Sequence, residues 1–309
     1  MFQSGVLPMI PALLRNTLAA LALCAPACLA EPITVETATG PVELSQRPER
    51  ILAMDVPAID TLTALGVKPA GIVAPTHLGY LSDVESGLPV VGTLFEPDFE
   101  QIAALGPDAI ILGTRSIAQG KNLSNFGPVL DMSIGLDAVG DGLQRLETYG
   151  RLTGTEEKAA EMAEVLRDKT ETARALVEGQ GTALIVMTNG PKLSVFGAES
   201  RFGWLHKTLG WPEAADGIDS SSHGEAITFE YIADKNPDTL IVIDRGQAIG
   251  GAVEGARSTL DNALIHGTTA WQNDQVIYLS PGEIYIAGGG YTALNRTLDQ
   301  LIDALGPES

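Results

Sequence analysis

Cysteine is almost missing from this chain: of 309 residues only Cys24 and Cys28 carry a thiol, and both fall within the first 30. A product that loses those 30 residues has no disulfide framework and no thiolate metal site. About 280 residues must then hold together through their own core, which is length enough for two domains. Aromatic residues make up only 5 %. Bases are scarce as well, 19 Lys and Arg against 39 Asp and Glu, for a net charge of −20. That balance argues against nucleic acid or an anionic membrane as partner and makes a local cluster of arginines conspicuous. After residue 30 no run is long and apolar enough to span a bilayer. His-Glu-x-x-His, Gly-x-Ser-x-Gly and the phosphate-cradling Gly-x-x-x-x-Gly-Lys-Ser/Thr are all absent. The four histidines, His77, His206, His223 and His266, show no i, i+3 or i, i+4 pairing that would preform a zinc site on a helix. No nucleophile stands beside a base in sequence, which weakens an enzymatic reading.

What is present begins with a leader. Leu13 to Ala30 is mostly apolar, broken by Arg15, Asn16 and Thr17, and ends in the small residues Ala25-Pro26-Ala27-Cys28-Leu29-Ala30 before Glu31. This is the layout of a secretory signal peptide over residues 1–30, with cleavage expected after Ala30 or, alternatively, Ala27. A lipoprotein signal is the competing reading, but Leu23 before Cys24 and Ala25 three before Cys28 fit it poorly. Removal takes Arg15 and no acid, so 18 bases face 39 acids and the mature charge is −21.

Beyond Glu31, short β-branched runs alternate with amphipathic helical patterns, which reads as α/β. Strands are expected at Ile33–Thr37, Arg50–Met54, Gly71–Ala74, Ala109–Gly113 and Val129–Ile134, with helices at Ala58–Leu65 and Phe99–Leu105. The alternation returns with strands near Ala183–Met187, Leu193–Phe196, Thr239–Ile243 and Gln275–Leu279. Between the two sets, Glu156 to Glu178 contains no Gly or Pro and is rich in Ala, Leu, Glu and Lys. Thr155 stands at the N-cap, Glu156 and Glu157 suit the helix dipole, and Gly179 supplies a stop. Such a helix would span about 35 Å and act as a stiff strut. The expected organisation is two Rossmann-like α/β lobes, residues 31–154 and 180–309, joined by one rigid backbone helix over 155–179; an ordinary crossover helix inside one lobe is the alternative.

An internal repeat supports two lobes. Phe99-Glu100-Gln101-Ile102-Ala103 runs on through Pro107-Asp108 to Arg115, and Phe229-Glu230-Tyr231-Ile232-Ala233 runs on through Pro237-Asp238 to Arg245, at a constant spacing. Each copy reads as helix, Pro-Asp turn, buried strand and an arginine just past the strand's carboxyl end, where open α/β sheets gather their ligands. A third arginine, Arg201, lies in Glu199-Ser200-Arg201-Phe202-Gly203-Trp204. Three converging guanidiniums would hold a large anion through fixed donor forks; singly, each is as well explained as a surface arginine paired with an acid. His223, in Ser220-Ser221-Ser222-His223-Gly224, and Tyr285, in Pro281-Gly282-Glu283-Ile284-Tyr285, carry no strong signal by themselves, although imidazole and phenolate suit Fe(III). Gly288-Gly289-Gly290-Tyr291-Thr292-Ala293 has dinucleotide-fold spacing, but that fingerprint opens a βαβ unit and no further strand follows. These glycines are expected to permit close backbone approach at the base of the last helix.

The run His223-Gly224-Glu225-Ala226-Ile227-Thr228-Phe229-Glu230-Tyr231-Ile232 resembles a signature of periplasmic catecholate-siderophore-binding proteins. So do Ser200-Arg201-Phe202-Gly203, Val242-Ile243-Asp244-Arg245 and Gly92-Thr93-Leu94-Phe95-Glu96-Pro97-Asp98-Phe99-Glu100. The resemblance extends over nearly the whole mature chain and is closest to binders of petrobactin, enterobactin breakdown products and anguibactin. That class, built on a rigid helical backbone between lobes, also includes vitamin B12 and haem receptors.

The resemblance implies the roles. Arg115, Arg201 and Arg245 match an arginine triad lining the cleft. His223 and Tyr285 match a histidine and a tyrosine that complete the iron shell when a siderophore offers only four donor atoms, with Tyr291 a rival for the tyrosine. Glu100 and Glu230 match glutamates that dock onto arginines of a membrane permease. The implied protein is a monomeric periplasmic receptor with no resident cofactor, handing ferric siderophore to an ABC permease driven by its ATPase. A haem or cobalamin receptor of the same fold, and a periplasmic metal-dependent hydrolase, are the alternatives.

Overall fold

Runs of branched and aliphatic residues too continuous for a one-sided strand fold into two sheets covered on both faces. The computed structural model describes residues 1, 2, 5, 32–218, 224–251 and 255–307. The leader apart from residues 1, 2 and 5, with Cys24 and Cys28, and the loop containing His223 lie outside the described residues. Residues 31–309 make up one compact unit.

A hairpin of β1 (Ile33–Thr37) and β2 (Gly40–Leu44) opens that unit. Then β3 (Ile51–Met54), β4 (Gly71–Ile72), β5 (Ala109–Leu112) and β6 (Val129–Asp131) form a wholly parallel sheet in the order β4-β3-β5-β6. Every residue of β3 and β5 is buried. The second sheet comprises β7 (Ala183–Asn189), β8 (Lys192–Phe196), β9 (Glu225–Ile227), β10 (Thr239–Asp244) and β11 (Val276–Leu279), in the order β11-β10-β7-β8-β9. Its β7, β10 and β11 run parallel, whereas β8 and β9 turn back antiparallel.

The repeat is structural. Two seven-residue helices, Phe99–Leu105 and Phe229–Lys235, each end in a left-handed residue, Gly106 or Asn236. The Pro-Asp turn then does the same work in both copies. Asp108 accepts the Glu49 and Arg50 N–H groups (3.0 and 2.8 Å), and Asp238 accepts the Thr182 N–H (2.7 Å). Each aspartate thus fixes the start of the strand beside its own, which brings Arg115 and Arg245 to the carboxyl edges of two sheets.

The strut is the 22-residue helix Glu156–Val177. Ala159, Met162, Ala163, Leu166, Thr170, Ala173 and Val177 form one buried stripe at three- and four-residue spacing. Thr155 occupies the N-cap position, but its hydroxyl bonds Thr153 Oγ1 (2.9 Å) and makes no capping bond. Two helices pack on the strut, Ala138–Thr153 and the last one, Tyr291–Leu305, which also lies against Val56–Leu65 of the first lobe.

The base of that last helix explains Gly290. Asp60 Oδ2 accepts the Ala293 N–H (3.0 Å) and Thr61 Oγ1 accepts the Tyr291 N–H (3.1 Å), capping it from a neighbouring helix. A Cβ at Gly290 would stand 2.4 Å from Asp60 Oδ2, so the approach requires glycine. Asp60 is fully buried, and burial raises its pKa to about 6 against lowering hydrogen bonds from Thr292 and Ala293. An acid with a raised folded pKa favours the folded state fully below its unfolded value, about 4, and loses that contribution as pH rises through about 6. The melting temperature is therefore expected to fall between about pH 4 and about pH 6, and Asp60→Asn to shrink that fall in scanning calorimetry. An equal fall in both proteins would show that Asp60 does not contribute.

Candidate ligand-binding site

Four loops, each following a strand of one of the two sheets, meet at one tyrosine. Arg115 follows β5 in a turn closed by Ser116, whose hydroxyl accepts the Gly113 N–H (3.0 Å). Arg201 follows β8 in a loop tied down by the Ala198 N–H donating to Glu213 Oε1 (2.7 Å). Arg245 follows β10, where Asp244 accepts the Gln247 and Ala256 N–H groups (3.0 and 2.8 Å). Tyr285 follows β11 on a single π-helical turn, Gly282–Ile286, a form that recurs at functional sites. Glu283 of that turn is buried and accepts from Arg296 (3.2 Å) and Gln300 (3.3 Å), both on the last helix.

The arginines meet on Tyr285. Its carbonyl accepts from Arg115 Nη2 (2.8 Å) and Arg201 Nη2 (2.8 Å), and its hydroxyl accepts from Arg245 Nε (3.1 Å). Arg115 Nη1 also donates to the Ile286 carbonyl (3.1 Å). The guanidinium carbons of Arg115, Arg201 and Arg245 stand 5.0, 4.6 and 6.0 Å from the Tyr285 ring centre, within cation–π range. Burial, reinforced by the Arg115 charge, pushes Arg201 down to about 10. Burial acts to raise the Tyr285 phenol, but the hydrogen bond from Arg245 and the charges of all three arginines outweigh it and hold the phenol below its usual range. This cluster concentrates positive charge at one place on an acidic protein.

Beside it lies a cavity of about 400 Å³ whose walls include Asp55, Arg115, Leu136, Arg201, Trp204 and Glu283. Burial pushes the Asp55 carboxyl up to about 7, opposed by the Ala58 N–H and by Arg115. Sequence reasoning missed Asp55 and Glu283. Their only local signals are an N-cap aspartate after a strand and a glutamate two residues before Tyr285.

Tyr291 is placed elsewhere. Its N–H is bonded to Thr61, and burial together with Asp299 and Asp60 raises its phenol. His223 lies outside the described residues, but Gly224, which follows it, lies against Val195 and Phe196 at the end of β8 that leads into the Arg201 loop. Glu100 and Glu230 are exposed, each the second residue of its helix. The Glu230 carboxyl is held below its usual range by its own N–H and by the Thr228 hydroxyl. Among the described residues no helix is long and apolar enough to cross a membrane.

The chain as a whole has counterparts among known proteins. The chain is 30 % identical over 270 residues to the petrobactin-binding protein YclQ of Bacillus subtilis, covering 85 % of this chain and 84 % of the relative. It is 31 % identical over 286 residues to the ferric-anguibactin-binding protein FatB of Vibrio anguillarum, covering 89 % and 88 %. The crystal structure of the periplasmic catecholate-siderophore-binding protein VctP from Vibrio cholerae superposes with a TM-score of 0.83 at 30 % identity, covering 88 % of this chain and 99 % of that one. The model of the family described as periplasmic binding protein matches residues 53–282. A two-lobe α/β frame, a cleft-edge cluster of arginines and these relatives agree: the chain belongs to the periplasmic binding protein family and is a binding protein, not an enzyme.

Proposed function

We propose that this protein captures a ferric catecholate-type siderophore in the periplasm, after export by its leader, and as a monomer delivers it to an ABC permease driven by an ATPase. The observation that carries the reading is the convergence of Arg115, Arg201 and Arg245 on Tyr285. A ferric tris-catecholate has about three negative charges, and three partly desolvated guanidiniums supply matching charge and donor forks. The protein's overall negative charge does not prevent this, because charges beyond roughly 8–10 Å are screened. The names of the relatives, petrobactin-binding and ferric-anguibactin-binding, point the same way.

In this reading the arginines hold the anionic oxygens, and Tyr285 and His223 supply iron donors when the cargo offers only four. Glu100 and Glu230, exposed at equivalent places on the two lobes, dock on the permease. Lobes braced by the strut and by the last helix are expected to move little on binding.

The test is fluorescence titration of residues 31–309 with ferric bis- and tris-catecholates, with haemin and cobalamin in parallel. Trp204 lines the cavity beside Arg115 and Arg201 and is the expected reporter; Trp271 packs on His266 (4.4 Å between ring centres). Saturable submicromolar quenching by the catecholates alone supports the reading, whereas a response to haemin or cobalamin instead would move the cargo. His223→Ala is expected to weaken the bis-catecholate and leave the tris-catecholate nearly unchanged. Equal loss for both would make the histidine structural.

A further inference from the structure

Among the described residues most large apolar side chains are buried, yet three exposed ones lie on the loop that presents Arg115 or on segments bonded to it. Phe95 is 64 % exposed, Leu136 49 % and Ile117 37 %. Ile117 belongs to the loop itself, two residues past the arginine. Gln119 Nε2 donates to the Phe95 carbonyl (3.1 Å), and Thr114 Oγ1 donates to the Ile134 carbonyl (3.1 Å), so the segments carrying Phe95 and Leu136 are both fastened to residues 114–119. Leu136 also shares the cavity wall with Arg115 and Arg201.

Phe95 is presented rigidly. Thr93 Oγ1 accepts the Phe95 and Glu96 N–H groups (3.2 and 3.0 Å), and the Thr93 N–H donates to the Glu96 carbonyl (3.0 Å). Gly92 enters the turn at φ +104°, where a Cβ would come within 2.3 Å of the Glu96 carbonyl oxygen, so glycine is required for the turn to close. An aromatic ring held on a preorganised turn loses little conformational freedom when something packs on it.

We propose that Phe95, Ile117 and Leu136 form an apolar collar around Arg115 that packs against the aromatic rings of the cargo, with Phe95 the principal contact. The collar rests on the receptor reading above and adds the ground for discrimination. Arginines alone accept any ferric anion of suitable charge. A collar of carbon surface adds affinity only for a complex with an apolar aromatic periphery, and a ferric carboxylate complex presents mainly hydrated oxygens to it.

The test compares Phe95→Ala, Phe95→Leu and Arg115→Ala with the wild type, titrated with a ferric bis-catecholamide and with ferric citrate. Phe95→Ala is expected to weaken the bis-catecholamide about tenfold and to narrow its preference over ferric citrate by the same factor. Phe95→Leu keeps part of the affinity, and the melting temperature stays at the wild-type value because the ring is exposed. Arg115→Ala weakens both complexes. Unchanged catecholamide affinity in Phe95→Ala, or an equal loss for both complexes, overturns the collar and leaves the receptor reading standing. Unchanged affinity with impaired iron uptake in cells also overturns it and reassigns Phe95 to the permease contact. A wild type that binds neither complex overturns both readings.

Discussion

Tyr285→Phe is expected to weaken a ferric bis-catecholate by about a hundredfold or more, roughly 3 kcal/mol, and to remove the visible charge-transfer band of an iron–phenolate bond. A tris-catecholate, with its six donor atoms, should lose far less. The reason lies in where the phenol sits. Arg245 donates to its oxygen at 3.1 Å, and three guanidiniums surround the ring. Burial works to raise its pKa, but that hydrogen bond and the three charges prevail and lower it. A phenol made more acidic yields its proton more readily to become a donor for iron. The pH sign is fixed by the same shift. A depressed folded pKa adds stability that is present above the unfolded value, about 10, and is lost as pH falls through the folded one. Absorbance titration of the phenolate and visible spectra of the loaded proteins check both parts; a band unaltered in the variant would remove Tyr285 from the iron shell.

Arg201→Ala is expected to lower affinity for a ferric tris-catecholate by about 2 kcal/mol, near thirtyfold, while raising the melting temperature of the protein without cargo. Arg201 is the costly member of the triad: burial first, and then the like charge of Arg115, bring its pKa down to about 10 from the ordinary 12.5. From about pH 5 to about pH 9 it is charged in both the folded and unfolded chain, so the penalty is constant there. Stability is regained only as pH climbs through about 10. Alanine removes the penalty at neutral pH. It also removes a donor to the Tyr285 carbonyl, but Arg115 still serves that oxygen at 2.8 Å. Binding sites commonly hold function at the expense of stability in this way. Calorimetry with and without cargo separates the two effects; a lower melting temperature with intact affinity would make Arg201 a structural residue.

Much of this was legible before any coordinates. The strands at Ile51, Ala109, Ala183 and Thr239 announce themselves as short aliphatic runs, because strands covered on both faces must be apolar throughout. The strut was legible from 23 residues without Gly or Pro. The hairpin strand Gly40–Leu44 and the edge strand Glu225–Ile227 were not, since each is short, half exposed and interrupted by proline or charge. Thr155 was legible as a cap position, but whether its hydroxyl would cap depended on a competing bond to Thr153.

The sequence by itself determined the α/β alternation, the strut and the equivalence of the two arginine-bearing repeats. All of these follow from periodicity, turn chemistry and a repeated pattern that can be read along the chain. Only the tertiary structure decided that Tyr285 rather than Tyr291 stands among the arginines, that a main-chain carbonyl takes two of the three guanidiniums, and that Asp55 and Glu283 border them. The five residues between those tyrosines carry no such distinction in sequence. It arises because Asp60 and Thr61 pin the last helix at Tyr291, while Glu283 is held by Arg296 and Gln300 and the Tyr285 carbonyl by Arg115 and Arg201. Contacts between residues far apart in sequence set that geometry, and local pattern has no access to them.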